Sequence, residues 1–140
     1  EPLAQKEVLN LLKELADGNY EVSLAKGGGF TIQEVYSRIK IILDIKTPDS
    51  GEEKKNHWDN LNTINAKDEI KFVLCSREDY EWAKKIINQY QITQKCSVLF
   101  SPVYQTLQAT DLGNWILEDQ LPVRMQIQLH KLLWGEKQGV

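Results

Sequence analysis

Polar side chains recur at every second position near the end of the sequence, at Arg124, Gln126, Gln128 and His130. Apolar residues fill the positions between them, so a β-strand over residues 123–130 would place the four polar groups on one face. If that face lines the inside of a barrel, amides beside an imidazole suit the hydrogen-bonding edge of a heterocycle. If it faces water, the same alternation describes an ordinary exposed strand, and the pattern leaves both interpretations open.

Lys46 and a run of glycines are the other positions that suggest a ligand. Lys46 follows the nearly continuous apolar run 39–45, where a charge is uncommon, although a solvated lysine is the simpler interpretation. The glycines at 27–29 lack the spacing of a dinucleotide-binding loop and instead allow the backbone to approach a ligand closely. His57 lies beside Trp58 in a polar segment, which favours a surface or packing position over catalysis.

The sequence shows no pattern of a catalytic nucleophile or of a metal site. It has no HExxH, no paired-histidine motif, no Ser-His-Asp order, no nucleophile elbow and no P-loop. The two cysteines, Cys75 and Cys96, stand too far apart for the usual zinc or redox pairs, and both lie in apolar, strand-like runs. We therefore predict two small buried thiols, no catalytic residue and no metal ligand in these 140 residues.

The composition is that of an ordinary globular protein. Hydrophobic residues make up 41% of the sequence and charged residues 26%, which argues against disorder. A net charge of −3 without a basic run argues against direct binding of nucleic acid. No apolar run approaches the roughly 20 residues that span a bilayer, and no signal-peptide pattern is present, so we expect a cytoplasmic protein without a membrane partner.

Strand-like and helix-like segments alternate about five times along the chain. The predicted strands cover residues 20–24, 39–45, 70–75, 97–100 and 123–130. The predicted helices cover residues 4–16, a weak patch at 32–37, 52–62, 77–90 and 110–119, with Ser76 and Thr110 as N-caps of the last two. Since every connection is long enough for a helix, the sequence predicts a single α/β domain over residues 1–140. We favour a partial (β/α) barrel-like parallel sheet of about five strands, while a doubly wound flat sheet stays open.

In parallel α/β folds, ligands bind where loops leave the C-terminal ends of the strands. That rule selects residues 25–29, 46–47, 76, 101–102 and 130–131. We expect these five places to gather along one rim of the sheet. The run 39–45 is so continuously apolar that it predicts a strand covered on both faces.

Several segments together resemble one known family. Residues 1–3 (Glu-Pro-Leu), followed by a helix, are similar to the end of the Gly-Gly-Glu-Pro motif of radical S-adenosylmethionine enzymes. Residues 43–48 (Leu-Asp-Ile-Lys-Thr-Pro), 56–61 (Asn-His-Trp-Asp-Asn-Leu) and 126–135 (Gln-Ile-Gln-Leu-His-Lys-Leu-Leu-Trp-Gly) are similar to segments of 7-carboxy-7-deazaguanine synthases. So are residues 71–75, 79–82, 99–102 and 121–124, and the resemblance covers nearly the whole chain.

The resemblance implies an incomplete (β/α) barrel and a radical reaction in the parent protein. The family converts 6-carboxytetrahydropterin to 7-carboxy-7-deazaguanine, a lyase step toward the queuosine nucleoside of tRNA. It uses S-adenosylmethionine, a [4Fe–4S] cluster and Mg²⁺. The expected partners are the pterin-derived substrate, a second copy in a homodimer and a flavodoxin-type reductant.

Residue roles follow from the resemblance at the matching positions only. Glu1 would hold the amino group of the methionine part of S-adenosylmethionine. Lys46 and Ser101 would belong to the rim that faces this cofactor. Gln128 and His130 would face the substrate, with Gln126 as a further candidate.

The chain departs from the family pattern at two places. The three cluster cysteines of the family lie upstream of the Gly-Gly-Glu-Pro motif, and the chain begins at Glu1 without methionine, so we expect it to be the C-terminal portion of a longer enzyme. Relatives usually carry Glu and then Thr or Ser where this chain has Ala25 and Lys26; a lost acceptor and an added cation should weaken binding of a cationic sulfonium. We expect the chain alone to be catalytically inactive.

Other classes of function stay open. One alternative is a non-catalytic ligand- or partner-binding domain that reuses the same half-barrel. An unrelated α/β enzyme, such as a small hydrolase or phosphate binder, is disfavoured by the missing nucleophile-elbow and P-loop patterns. A sheet without its first strands would expose a parallel edge, so we also expect the isolated chain to dimerise or swap strands.

Overall fold

The computed structural model describes residues 1–135, 137 and 139 and contains a five-stranded, all-parallel sheet. The strands are β1 (Ser23–Gly27), β2 (Lys40–Ile45), β3 (Glu69–Leu74), β4 (Ser97–Pro102) and β5 (Arg124–Met125). Their order in the sheet is their order in the sequence, without the reversal that marks a doubly wound fold. The sheet is open, and the predicted α/β fold with a partial-barrel arrangement of parallel strands is confirmed.

Helices of very different length connect the strands. They are α1 (Val8–Asp17), α2 (Asn60–Thr63), α3 (Arg77–Tyr90), α4 (Ile92–Lys95), α5 (Ala109–Glu118) and α6 (Leu129–Trp134). Short 3-10 turns occur at Pro2–Ala4, Pro48–Ser50 and Glu53–Lys55. No helix in the described part of the chain is long and apolar enough to cross a membrane.

The hydrophobic core lies between one face of the sheet and the helices. Alternate strand residues point into it, and Phe72 and Phe100 meet edge to face with ring centroids 5.6 Å apart. Tyr80 from α3 packs on Phe100 at 5.8 Å, which fixes the longest helix on this face. The remaining strand positions form the opposite face of the sheet, here called the cavity face.

Helix α3 forms where the sequence predicts it. The Ser76 hydroxyl accepts a hydrogen bond from the Asp79 backbone N–H at 3.2 Å, so Ser76 is the expected N-cap. The helix ends at Tyr90, and the left-handed backbone of its C-cap Gln91 (φ 51°) closes the last turn. The N-cap predicted at Thr110 is wrong, because α5 begins at Ala109 with Gln108 in the cap position.

Two other predicted helices are wrong or broken. The weak patch at 32–37 forms turns. The segment 52–62 contains only a 3-10 turn and the single turn of α2. In this segment the side chains of Asn56 and Asn60 hydrogen bond to backbone groups of neighbouring loops, and such bonds compete with a continuous helix.

The first strand lies three residues later than predicted. Residues 20–22 precede β1, and Ala25 to Gly27 pair in register with Ile42 to Asp44 of β2. The β-forming residues at 20–24 suggested an earlier strand, but pairing with the buried β2 decides the register.

The last strand is much shorter than predicted, which is the largest correction. β5 ends at Met125, and the Gln126 N–H still donates to the Phe100 carbonyl at 2.9 Å. In a parallel ladder the next donor would be the backbone nitrogen of residue 102, which is Pro102 and has no N–H. The ladder therefore stops, and residues 129–134 form α6 instead of continuing a strand.

Candidate functional site

A broad cavity of about 800 Å³ covers the cavity face of the sheet. It is lined by Ala25, Lys26, Gly27, Ile42, Asp44, Glu69, Lys71, Leu99, Arg124, Met125 and Gln126. All five strands contribute, so the cavity spans the sheet. An open surface of this size, lined by both charged and apolar side chains on a parallel sheet, is a candidate site for a small molecule.

Two predicted cofactor residues, Glu1 and Lys46, lie together at one end of this cavity. The Lys46 ammonium forms an ion pair with Asp44 Oδ2 at 2.6 Å. Glu1 Oε2 accepts a hydrogen bond from the Gly27 N–H at 3.2 Å. A Cβ placed on Gly27 would lie 3.7 Å from Glu1 Oε2 and 3.8 Å from Lys46 Cε, so the carboxylate and the lysine flank the same glycine.

Two buried polar atoms on the cavity face lack a hydrogen-bond partner within the described residues, Asp44 Oδ1 and Ser101 Oγ. Ser101 is fully buried and pairs in register with Val73 of β3. A buried polar group without a partner costs about 1–3 kcal/mol. Such atoms therefore fit a ligand that offers both donors and acceptors, as S-adenosylmethionine does through its ammonium, hydroxyl and adenine groups.

Glu69 is the centre of a charge cluster on the floor of the cavity. Its Oε1 contacts Lys40 Nζ and an Arg124 guanidinium nitrogen, each at 2.9 Å. Burial alone would raise the pKa of Glu69, but the hydrogen bonds and charges of Lys40 and Arg124 outweigh burial and hold that pKa below its ordinary value. Glu69 is therefore ionised at neutral pH and neutralises part of both cations.

Lys71 differs from the other cations of the cavity face. It is half-buried on β3, in register with Asp44, yet among the residues that the structure describes no hydrogen bond or ion pair holds its ammonium group. The ammonium group of a lysine in this position can donate hydrogen bonds to an anionic group or another acceptor of a ligand.

The sequence interpretation missed Asp44, Glu69 and Lys71. A period-two pattern in β2 and β3 could have found them, since Asp44 falls at an alternate position of β2 and Glu69 and Lys71 at alternate positions of β3. The prediction that residues 39–45 are covered on both faces is wrong: Ile41, Leu43 and Ile45 are buried, whereas the alternate positions 42 and 44 line the cavity.

The four polar residues of the predicted last strand do not share one face. Arg124 and Gln126 line the large cavity. Gln128 lines a second cavity of about 270 Å³ between the end of β4 and α6. His130 is exposed on α6. The strand-face interpretation is therefore wrong for Gln128 and His130, because the strand ends before them.

Ala25 and Lys26, where the resemblance predicts a departure from the family pattern, lie on opposite sides of β1. Ala25 is exposed on the cavity face. The Lys26 side chain is only 4% exposed, and its ammonium donates to the Phe30 carbonyl. Burial lowers the pKa of Lys26, while the charge of Glu1 opposes that shift. The expected added cation therefore lies under the glycine loop, hydrogen bonded to Phe30.

The two thiols differ in their surroundings. Cys96 is buried as predicted, and burial raises the pKa of its thiol to about 11. Cys75 is only half-buried, and burial together with Asp79 and Asp49 raises the pKa of its thiol as well. Within the described residues, no group of three or more His, Cys, Asp or Glu side chains is arranged to hold a metal ion.

Comparison with known proteins identifies relatives of the chain, although no protein-family model matches it. The 7-carboxy-7-deazaguanine synthase of Chlorobaculum tepidum is 42% identical over 138 residues, which cover 96% of this chain and 63% of the relative. The protein of the same name from Koribacter versatilis is 36% identical over 100% of this chain and 69% of its own length. The one from Methanospirillum hungatei is 34% identical over 95% of this chain and 55% of its own length.

These matches confirm the resemblance and show how far it extends. The chain spans 63%, 69% and 55% of the lengths of the three relatives, so it corresponds to part of each. The similarity runs through nearly the whole chain, and the open parallel sheet agrees with the incomplete barrel that the resemblance implies. The chain belongs to the 7-carboxy-7-deazaguanine synthase family.

Proposed function

We propose that this chain is part of an enzyme that converts 6-carboxytetrahydropterin to 7-carboxy-7-deazaguanine, on the path to queuosine in tRNA. The observation that carries the proposal is the cavity face, where Glu1, Asp44 and Lys46 surround Gly27. On the same face, the buried Asp44 Oδ1 and Ser101 Oγ have no hydrogen-bond partner among the described residues. Three relatives that are 34–42% identical to this chain share the name 7-carboxy-7-deazaguanine synthase, which supports assigning this reaction to the site.

The residues present fit S-adenosylmethionine. The carboxylate of Glu1, next to Gly27, would accept a hydrogen bond from the cofactor's ammonium, and Lys46 and Ser101 would contact its polar groups at the same rim. Asp44 Oδ1 is an additional acceptor that the structure adds to this set. S-adenosylmethionine held at this rim would supply the radical chemistry of the proposed reaction.

The residues present do not fit the [4Fe–4S] cluster. Cys96 lies buried on the core side with a raised pKa, and Cys75 is a single half-buried thiol. The cluster requires several thiolates, so its ligands would come from outside the described residues. Within the described residues no group of three or more His, Cys, Asp or Glu side chains is arranged to hold a metal ion, and Mg²⁺ usually takes one or two carboxylates together with water and substrate oxygens.

The substrate would occupy the floor of the cavity. Gln126 at the cavity wall supplies an amide for the hydrogen-bonding edge of the pterin, and the Lys71 ammonium would receive an acceptor group. The substrate contacts assigned to Gln128 and His130 rest on the resemblance alone. The parent enzyme would act in the cytoplasm as a homodimer with a flavodoxin-type reductant.

The test uses the full-length protein that contains this chain, reconstituted anaerobically with iron and sulfide. We expect a low-temperature EPR signal of a reduced cluster that shifts when S-adenosylmethionine is added, and formation of 7-carboxy-7-deazaguanine detected by mass spectrometry. The 140-residue chain alone should give no product under the same conditions. A full-length protein without a cluster would contradict the proposal and favour a non-catalytic binding domain; turnover by the chain alone would contradict its expected inactivity.

A further inference from the structure

Asn56 holds the backbone of Lys46 through both ends of its side-chain amide. The Lys46 N–H donates to Asn56 Oδ1 at 2.9 Å, and Asn56 Nδ2 donates to the Lys46 carbonyl at 2.8 Å. β2 ends at Ile45, so Lys46 is the first residue beyond the strand. The amide thus satisfies both backbone groups of Lys46 in the way a neighbouring strand would.

Gly28 makes room for this contact. A Cβ on Gly28 would lie 2.8 Å from Asn56 Oδ1 and 3.5 Å from the Asp44 carbonyl, which is too close to the amide. The Gly28 N–H donates to the Asp44 carbonyl at 2.9 Å, so the glycine loop is tied to β2 at the same point. At Gly28 the glycine run therefore allows the loop backbone to pack closely against the Asn56 side chain and the end of β2.

The same segment also holds the glycine loop. The His57 N–H donates to the Gly28 carbonyl at 2.8 Å. The Asn60 amide donates to the Phe30 carbonyl at 2.8 Å and accepts from the Ile32 N–H at 3.1 Å. Asn60 is 1% exposed, so its loss would damage the fold, whereas Asn56 is half-buried at the cavity end.

We propose that Asn56 is a positioning residue of the ligand site, which acts through Lys46. It fixes the backbone at the end of β2 so that the Lys46 ammonium stays on Asp44, next to Glu1 and Gly27. Without the amide, Lys46 loses both backbone partners and its side chain is no longer directed to the cavity end. The role of Asn56 in cofactor binding rests on the proposed function, whereas its effect on the backbone position of Lys46 does not.

The first experiment measures binding of S-adenosylhomocysteine to the reconstituted full-length protein by calorimetry. We expect Asn56→Ala to raise the dissociation constant about tenfold, and the control Asn62→Ala, an exposed residue of α2, to leave it unchanged. In a Lys46→Gln background, Asn56→Ala should change the constant by less than about twofold, because the residue acts through Lys46. Equal effects in both backgrounds would overturn the proposal, since a general structural role predicts additivity.

The second experiment does not depend on the cofactor and uses amide hydrogen exchange in the same protein. Asn56→Ala should accelerate exchange at the Lys46 amide and leave the amide of Ile70, in the core strand β3, unchanged. Unchanged exchange at Lys46 would show that Asn56 does not hold that backbone and would overturn the proposal. If the unmodified protein fails to bind S-adenosylhomocysteine, the proposed function falls, and the exchange rates decide the role of Asn56 by themselves.

Discussion

Lys26 is a charged residue buried beneath the glycine loop. Its side chain is 4% exposed, and its hydrogen bond to the Phe30 carbonyl is joined by a cation–π contact, with the ammonium 5.9 Å from the Phe30 ring centroid. No carboxylate of the described residues contacts this ammonium, and a buried ammonium loses hydration that its contacts with Phe30 only partly replace. The lowered pKa of Lys26 has the same cause. This residue therefore costs stability.

We expect Lys26→Met to stabilise the fold by about 1–2 kcal/mol at neutral pH, because it keeps an unbranched apolar stem and removes the buried charge. The lowered pKa means that the unfolded state binds more protons between the two pKa values, so stability should rise as pH increases through that window. The variant should lose this rise. Urea denaturation at several pH values measures both effects, with the exposed Lys13→Met as control. Equal or lower stability of Lys26→Met would contradict the interpretation.

Among the secondary structure elements, the start of α3 and the loop after β2 are connected by the side chain of Asp79. Its carboxylate is fully buried and accepts from Thr47 Oγ1 at 2.9 Å, the Asp49 N–H at 3.1 Å and the Cys75 N–H at 3.0 Å. The position in the first turn of α3 favours the negative charge through the helix dipole. One side chain thereby fixes the loop that follows Lys46.

Replacing Asp79 by Ala should lower the free energy of unfolding by about 3 kcal/mol, because the buried Thr47 hydroxyl loses a partner and the partly buried N–H groups of Asp49 and Cys75 lose their acceptor. Urea denaturation measures the loss. Asp111→Ala in the first turn of α5 is the matched control, since that acid is exposed, and it should change stability by less than about 0.5 kcal/mol. A loss below about 1 kcal/mol in Asp79→Ala would contradict the assigned role.

The whole molecule has two sheet edges of unequal character. β1 spans five residues and pairs only with β2 within the described part of the chain, whereas β5 has two residues. Beside β5, the helix α6 exposes Leu129, Leu132, Leu133 and Trp134. The open edge of β1 and the exposed apolar side of α6 both favour self-association. The edge of β1 also offers a row of unpaired backbone groups, which α6 does not.

We expect the isolated chain to form dimers between low and high micromolar concentration, measured by sedimentation velocity. Ser23→Lys should weaken the dimer, because like charges meet when two β1 edges pair. Leu133→Lys on α6 is the matched control and should leave the dimer intact. A monomer at all concentrations, or a dimer lost only in Leu133→Lys, would contradict pairing through β1.

Much of the fold could be predicted because its signals are local. Apolar runs gave strands β2, β3 and β4, and the N-cap Ser76 with its following acids gave α3. The site was predicted only in part. Glu1 and Lys46 lie together, but Asp44, Glu69 and Lys71 were missed, since their importance depends on which face of each strand the helices cover.

The sequence by itself determined the α/β class, the parallel sheet and the family, because hydrophobic periodicity and motifs are properties of the chain alone. Only the tertiary structure decided where β5 ends, since that depends on Pro102 in the neighbouring strand having no N–H to donate. It also decided that Gln128 and His130 leave the sheet, and that Asn56 pairs with Lys46. Hydrogen bonds between segments that are distant in sequence leave no pattern in the local sequence, and such bonds position the residues of this site.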